Sequence, residues 1–249
     1  MRKINMPTDR IALITGASRG IGAAVAKRLA ADGFSVVVNY SGSEKAATEV
    51  VAEIEAVGGH AVAAKADVSQ PDDVTRLFDH AEEVYGTPTV LVNSAGVMQL
   101  APLGESDDDL FDRTVEVNFK GTFNTLREAS RRMQEGGRII NFSTSVIGVK
   151  LPTYSVYAAT KSAVETMTAI LSKEMRGRSI TVNAVAPGPT ATALFLDGKT
   201  DEQVEQLSKL NPLERLATPE DIANTVSFLA GPDGGWINGQ TLRANGGMV

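Results

Sequence analysis

Ile11-Ala12-Leu13-Ile14-Thr15-Gly16-Ala17-Ser18-Arg19-Gly20-Ile21-Gly22 runs from a short apolar segment straight into glycine and on into a helical pattern. The apolar segment shows no polar alternation and is bounded at once by glycine, which suits a strand covered on both faces. Residues 19–32 read as a helix, with Ile21, Val25 and Leu29 on one face and Gly33 as the stop. Strand, tight turn and helix in that order open a βαβ unit. The glycines of the turn let the backbone approach a phosphate closely, and the free N–H groups at the helix start can hold its charge.

The alternation continues along the chain. Further strands are expected at 35–40, 61–65, 89–93, 138–142, 180–186 and 239–244. Helices are expected at 43–57, from Pro71 to near Gly86, at 107–133 with a break near Asn118, at 153–176 and at 219–230. Connections this short require parallel pairing and right-handed crossovers. The expected fold is α/β: a single-domain, Rossmann-type, doubly wound sheet of seven parallel strands with helices on both faces. No linker, repeat or low-complexity tract divides the 249 residues. The one long irregular excursion, 187–218, has the length of a lid or substrate loop.

Composition removes several chemistries. The chain has no cysteine, so disulfides, thiolate nucleophiles and thiolate metal sites are out. Its two histidines are His60, after Gly58-Gly59, and His80, on a polar helical stretch. Both read as solvated surface residues, so neither a histidine-based triad nor a metal site is expected. Net charge is −6 without a basic stripe, which argues against nucleic acid as a partner. Residues 1–8 carry Arg2 and Lys3 but no apolar run, and no segment reaches the length of a membrane span. A soluble, cytoplasmic protein with no membrane partner is the expectation.

The glycine spacing is G-x-x-x-G-x-G, and with Thr15 before it this form resembles the nucleotide loop of the short-chain dehydrogenase/reductase family. Gly16, Ser18, Arg19, Gly20, Ile21 and Gly22 are the expected cofactor contacts there. An NAD site usually places an acid about 20 residues beyond the first glycine. Here the second strand ends Val38-Asn39-Tyr40-Ser41-Gly42, without one. Asn39 and Ser41 can donate to a 2′-phosphate and Arg19 adds positive charge, so NADP(H) is expected over NAD(H). The resemblance extends to Asp67-Val68, where the family places an Asp beside the adenine. Asn93-Ser94-Ala95-Gly96 matches the family's Asn-Asn-Ala-Gly, with Ser94 a departure. It implies cofactor contacts from Tyr40, Asp67, Val68, Asn93, Ala95 and Gly96. In Pro187-Gly188-Pro189-Thr190-Ala191-Thr192 it implies Pro187 and Gly188 at the site, Thr190 near the carboxamide and Thr192 near the pyrophosphate.

Tyr157-Ala158-Ala159-Thr160-Lys161 places a phenol and an ammonium on the same face of one helix. Free tyrosine, with a pKa of about 10, is a poor base at neutral pH. A neighbouring ammonium and the positive ring of an oxidised nicotinamide would favour the phenolate and lower that value. This pair resembles the family's catalytic set, and the resemblance covers nearly the whole chain. It implies that Tyr157 gives a proton to a carbonyl oxygen as hydride arrives, and takes it back in oxidation. It also implies that a serine hydrogen-bonds the same oxygen and that Lys161 holds the nicotinamide ribose. Asn118, in Glu116-Val117-Asn118-Phe119-Lys120, would keep a helix bend and anchor a water. Two positions compete for the serine. The family's usual gap to the tyrosine points to Thr144, while the S-x-x-G pattern completed by Val146-Ile147-Gly148 points to Ser145. Ser145 is taken, because the loop that follows absorbs a deletion more easily than the strand end can shift.

The expected function is NADP(H)-dependent hydride transfer between the nicotinamide and a ketone or secondary alcohol, in the carbonyl reductase branch of the family. Met98, Leu100, Leu151, Tyr154, Leu194 and Phe195 form an apolar expected pocket wall, which suits a substrate with a hydrophobic body. Ser145, Tyr154, Tyr157, Leu194 and Phe195 are the expected substrate contacts. An alternative is 3-oxoacyl-acyl carrier protein reductase, with Arg127, Arg131, Arg132, Lys173, Arg176 and Arg178 as a docking face. A non-catalytic dinucleotide sensor is a third reading, against which Tyr157, Lys161, Asn118 and the serine stand together. Gly239-Gln240 through Asn245-Gly246-Gly247 resembles the strand at a dimer interface of family tetramers, so a homotetramer or homodimer is expected.

Overall fold

Seven strands form one sheet: β1 (Ile11–Thr15), β2 (Ser35–Tyr40), β3 (His60–Lys65), β4 (Val90–Asn93), β5 (Arg138–Phe142), β6 (Thr181–Pro187) and β7 (Thr241–Ala244). They lie in the order β3-β2-β1-β4-β5-β6-β7, and every neighbouring pair is parallel. The structure, a computed structural model, describes residues 10–249; the expectation for residues 1–8 lies outside them.

Parallel pairing forces each return crossing to pass over a face of the sheet, and helices supply those crossings. They are α1 (Gly20–Ala31), α2 (Glu44–Ala56), α3 (Pro71–Val84), α4 (Asp108–Thr114), α5 (Gly121–Arg132), α6 (Val146–Val149), α7 (Ser155–Glu174), α8 (Ala193–Leu196), α9 (Asp201–Ser208) and α10 (Pro219–Ala230). Alternate residues of β1 face opposite layers. Ala12 and Ile14 pack with Val25 and Leu29 of α1, Ile54 of α2 and Ile222 and Leu229 of α10. Leu13 packs with Leu77 and Phe78 of α3, Leu126 of α5 and Leu171 of α7. All five residues of β1 and all six of β2 are buried, as unbroken apolar strands covered on both sides must be.

Strand order reverses between β1 and β4, and the crevice above that switch point opens at the carboxyl ends of both strands. The expected break near Asn118 is a π-helical turn, Val115–Lys120, joining α4 to α5. The 187–218 excursion, expected to be irregular, contains α8 and α9. Thr192 caps α8, and a capping box between Thr200 and Gln203 starts α9. Among the described residues no helix is long and apolar enough to cross a membrane.

Candidate active site

The β1–α1 turn is held open from beneath. Thr15 Oγ1 accepts from the N–H groups of Ser94 and Ala95, each at 3.1 Å, which locks the turn after β4 against the turn after β1. Gly16 and Gly20 have φ of +62° and +56°, a backbone region closed to most side chains. A Cβ on Gly22 would stand 2.4 Å from the Gly16 carbonyl oxygen. Helix α1 starts with no capping side chain and no acid in its first turn, leaving its N–H groups for an anion. The cavity above them encloses about 700 Å³. Gly16, Ser18, Arg19, Gly20, Ile21, Gly22, Asn39, Tyr40, Ser41, Asp67, Val68, Ala95 and Gly96 line one part of it. Thr144, Ser145, Leu151, Tyr154, Tyr157, Lys161, Pro187, Gly188, Thr190, Thr192, Leu194 and Phe195 line the other. Thr192 lies against Gly20, so the excursion after β6 reaches back over the phosphate loop.

Helix α7 carries Tyr157 and Lys161. Lys161 Nζ donates to the Phe142 carbonyl at 2.9 Å and sits 5.9 Å from the centroid of the Tyr157 ring. Burial pushes Lys161 down to about 8, so it is still an ammonium at neutral pH. Tyr157 is half-buried with Tyr154 edge-on to its ring, 6.3 Å between centroids. In the cofactor-free protein, burial pushes the Tyr157 phenol up to about 12, and Tyr154 adds to that; the expected lowering belongs to the state with oxidised nicotinamide bound. The nearby Thr144 hydroxyl draws it back in part. Thr144 Oγ1 also accepts from Val146 N at 3.3 Å, which orients it and leaves its proton free to be donated.

The chain matches the family model described as enoyl-(acyl carrier protein) reductase over residues 16–249. It is 46% identical to a short-chain type dehydrogenase/reductase of Picea abies, covering 96% of this chain and 92% of the relative. It is 44% identical to an NADPH-dependent aldehyde reductase 2, chloroplastic, of Arabidopsis thaliana, covering 96% and 94%. The protein belongs to the short-chain dehydrogenase/reductase family. A solved angucycline C-6 ketoreductase with bound NADP superimposes with a TM-score of 0.92 at 39% identity, covering 98% of this chain and 96% of that one. NADP(H) is the cofactor of this short-chain dehydrogenase/reductase, and its cavity fits the group. The uncapped start of α1 and the glycine cradle suit the pyrophosphate, and no carboxylate stands at the end of β2 to repel a 2′-phosphate.

Four sequence expectations need correction, those for Ser145, Asn39, Asn93 and Leu100. Ser145 does not present its hydroxyl to the cavity: Oγ donates to the Ala186 carbonyl and accepts from Asn245 Nδ2, both at 2.9 Å. Thr144, to which the residue gap points, lines the same cavity. Asn39 lines the cavity, but its amide is spent inside the fold. Its Oδ1 accepts from Gly16 N at 3.2 Å and its Nδ2 donates to the carbonyls of Ala64 and Ala66. Arg19 and Ser41, both exposed, line the cavity beside it. Asn93 points away from the cavity, donating to Asn141 Oδ1 at 2.8 Å across the β4–β5 pair. Asn118 lies in the π-helical turn, where the bend was expected; it is fully buried and brackets Val97, accepting from its N–H at 2.8 Å and donating to its carbonyl at 2.9 Å. Leu100 lines an adjoining cavity of about 600 Å³ instead, which shares Met98, Leu194 and Leu207 with the first.

Asp67 does what an Asx turn does, its Oδ1 accepting from Ser69 N and Oγ, while it still borders the cavity. Sequence reasoning missed Ser43, Arg113 and Met248, which also line the cavity. Ser43 caps α2, so its place beside Ser41 was readable; nothing local marks the other two. His60 is exposed, His80 half-buried, and neither lines the cavity. Among the described residues no cluster of metal-ligating side chains occurs.

Proposed function

We propose that this protein is a carbonyl reductase that uses NADPH to reduce aldehydes or ketones with an apolar body to alcohols. The observation that carries the reading is the grouping of Thr144, Tyr157 and Lys161 around one end of the cavity whose other end is the phosphate loop. Arg19, Ser41, the loop Gly16–Gly22 and Thr192 hold the cofactor, which when bound supplies hydride to the carbonyl carbon. The Tyr157 phenol, protonated throughout the physiological range, donates its proton to the carbonyl oxygen. The Thr144 hydroxyl, which lines the cavity beside Tyr157, donates its one proton in a hydrogen bond to that oxygen. The Lys161 ammonium, in a water-poor setting, offsets the phenolate's charge. Leu151, Tyr154, Leu194 and Phe195 take the body of the substrate and exclude water.

The relatives' names, an aldehyde reductase and a ketoreductase, support carbonyl substrates. Docking of an acyl carrier is less well supported. Arg132 is paired with Asp79, Glu82 and Glu128, Arg131 with Glu128, and Arg178 binds the Ser130 and Met133 carbonyls at the end of α5. Those guanidinium groups are engaged within the fold. A homotetramer in the cytoplasm completes the reading, supported by apolar side chains left exposed on α5 and α7. Turnover of short aldehydes, aromatic ketones and acetoacetyl thioesters with NADPH tests it. Tyr157→Phe is expected to lower kcat on the best substrate by about 10² to 10⁴ while NADPH still binds. Parent-level turnover by that variant would overturn the mechanism.

A further inference from the structure

Beside the main cavity lies the second one of about 600 Å³, and the two share Met98, Leu194 and Leu207. Those three come from separate places in the chain: Met98 from the segment after β4, Leu194 from α8 and Leu207 from α9. Leu194 thus borders both the substrate side of the main cavity, next to Phe195, and the second space. Residues 203, 206, 207 and 210 all line that second space. Their three- and four-residue spacing is one stripe of α9 carried into the turn that follows it. Leu194 is 48% exposed and Leu210 45%, so both present apolar surface that the fold itself leaves uncovered.

The polar groups of the second cavity give an ion no seat. Asp197 is a carboxylate, and the Lys199 ammonium is spent on α8: its Nζ donates to the Phe195 carbonyl at 2.5 Å and stands 4.7 Å from the centroid of that ring. A pocket for one drug-sized molecule takes about 300–1,000 Å³. The main cavity, at about 700 Å³, must hold a dinucleotide as well, which leaves little room in it for a long substrate body. We propose that the second cavity is a subsite for the far end of the substrate. Its occupant is an uncharged, elongated apolar tail that passes Met98, Leu194 and Leu207 while the carbonyl stays at Tyr157. The inference rests on the carbonyl reductase reading above, and it narrows the substrates to aldehydes and ketones whose apolar body outruns the main cavity.

The test is the reduction of butanal, hexanal, octanal and decanal with NADPH by the parent, Leu210→Trp and Gln206→Trp. Both positions are exposed and line the second cavity without bordering the main one, so each replacement fills the subsite and leaves the core packing intact. In the parent, kcat/KM should climb along the series by up to about fourfold for each methylene taken out of water. In both variants butanal should keep its parent rate, decanal should lose about tenfold or more in kcat/KM, and KM for NADPH should stay within about twofold. Calorimetric titration of butanol and decanol into the protein saturated with NADP⁺ supplies a readout that needs no turnover. Decanol should bind about tenfold or more tightly than butanol, and both variants should erase the difference. A flat aldehyde series in the parent overturns the subsite, as do variants that treat butanal and decanal alike. Should no aldehyde turn over while decanol keeps an advantage that Leu210→Trp removes, the reductase reading falls and the apolar subsite stands. Turnover that depends on Tyr157, beside silent Leu210 and Gln206 variants, removes the subsite alone.

Discussion

Lys161 is an ammonium with 5% of its surface exposed and a backbone carbonyl as its hydrogen-bond partner. Its folded pKa of about 8 lies below the ordinary 10.5, so the burial penalty is present in full below pH 8. As pH rises from 8 to 10.5 the folded state sheds its proton first and stability climbs. Tyr157 works in the opposite sense: with its folded pKa near 12, the unfolded chain ionises first above pH 10 and stability falls. In the cofactor-free protein, Lys161→Met should therefore be more stable than the parent at pH 7. The gain is at most about 3 kcal/mol, less the lost bond to Phe142, and should shrink by pH 10. Urea unfolding at the two pH values measures it, and a gap independent of pH would refute the account. At this scale the Tyr157–Lys161 pair was legible because both residues sit on one helix, one turn apart. The hydroxyl was not: Ser143, Thr144 and Ser145 differ by which way each side chain leaves the strand end, and hydrogen bonds to Ala186 and Asn245 decide that for Ser145.

The β1–α1 turn and the π-helical turn show what elements contribute. Gly22→Ala places a methyl group against the Gly16 carbonyl, in a turn already locked to the Ser94–Ala95 backbone. The turn must shift, and the dissociation constant for NADPH should rise at least tenfold, about 1.4 kcal/mol, in a fluorescence titration. Parent-like affinity would show that the close approach is not needed. Asn118→Ala removes both side-chain hydrogen bonds to the half-buried Val97 backbone, at about 1 kcal/mol or more each. A drop of about 2 kcal/mol or more in unfolding free energy is expected; a change under half that would contradict it. Legibility at this scale follows local chemistry. The strands announced themselves by short apolar runs bounded by turns, clearest for β1 and β4, which are buried throughout, and the break at Asn118 by polarity inside a helix. The capping box at Thr200 and Gln203 was equally readable but was passed over inside an excursion taken as irregular. Helix α6 has four residues, too few for a periodic signal.

Across the whole molecule, Phe119 and Phe123 beside α5 and Ile170 on α7 are exposed on the side of the sheet covered by α3, α5 and α7. Trp236, before β7, is 95% exposed. Apolar surface of this kind is usually covered by another chain. Light scattering should give a mass of four chains, or two, and Phe123→Asp should lower it; a parent protein measured as a monomer would sink the proposal. The sequence by itself determined the order of elements, the parallel sheet, the phosphate loop and the Tyr157–Lys161 pair, because each depends on residues close in the chain and on burial patterns that repeat along it. Only the tertiary structure decided that the Ser145 hydroxyl is spent on Ala186 and Asn245, that Asn39 and Asn93 serve the fold, and that Arg113 and Met248 reach the cavity. Each of those outcomes turns on a partner distant in sequence, or on how much water a group loses, and neither quantity exists until the chain has folded.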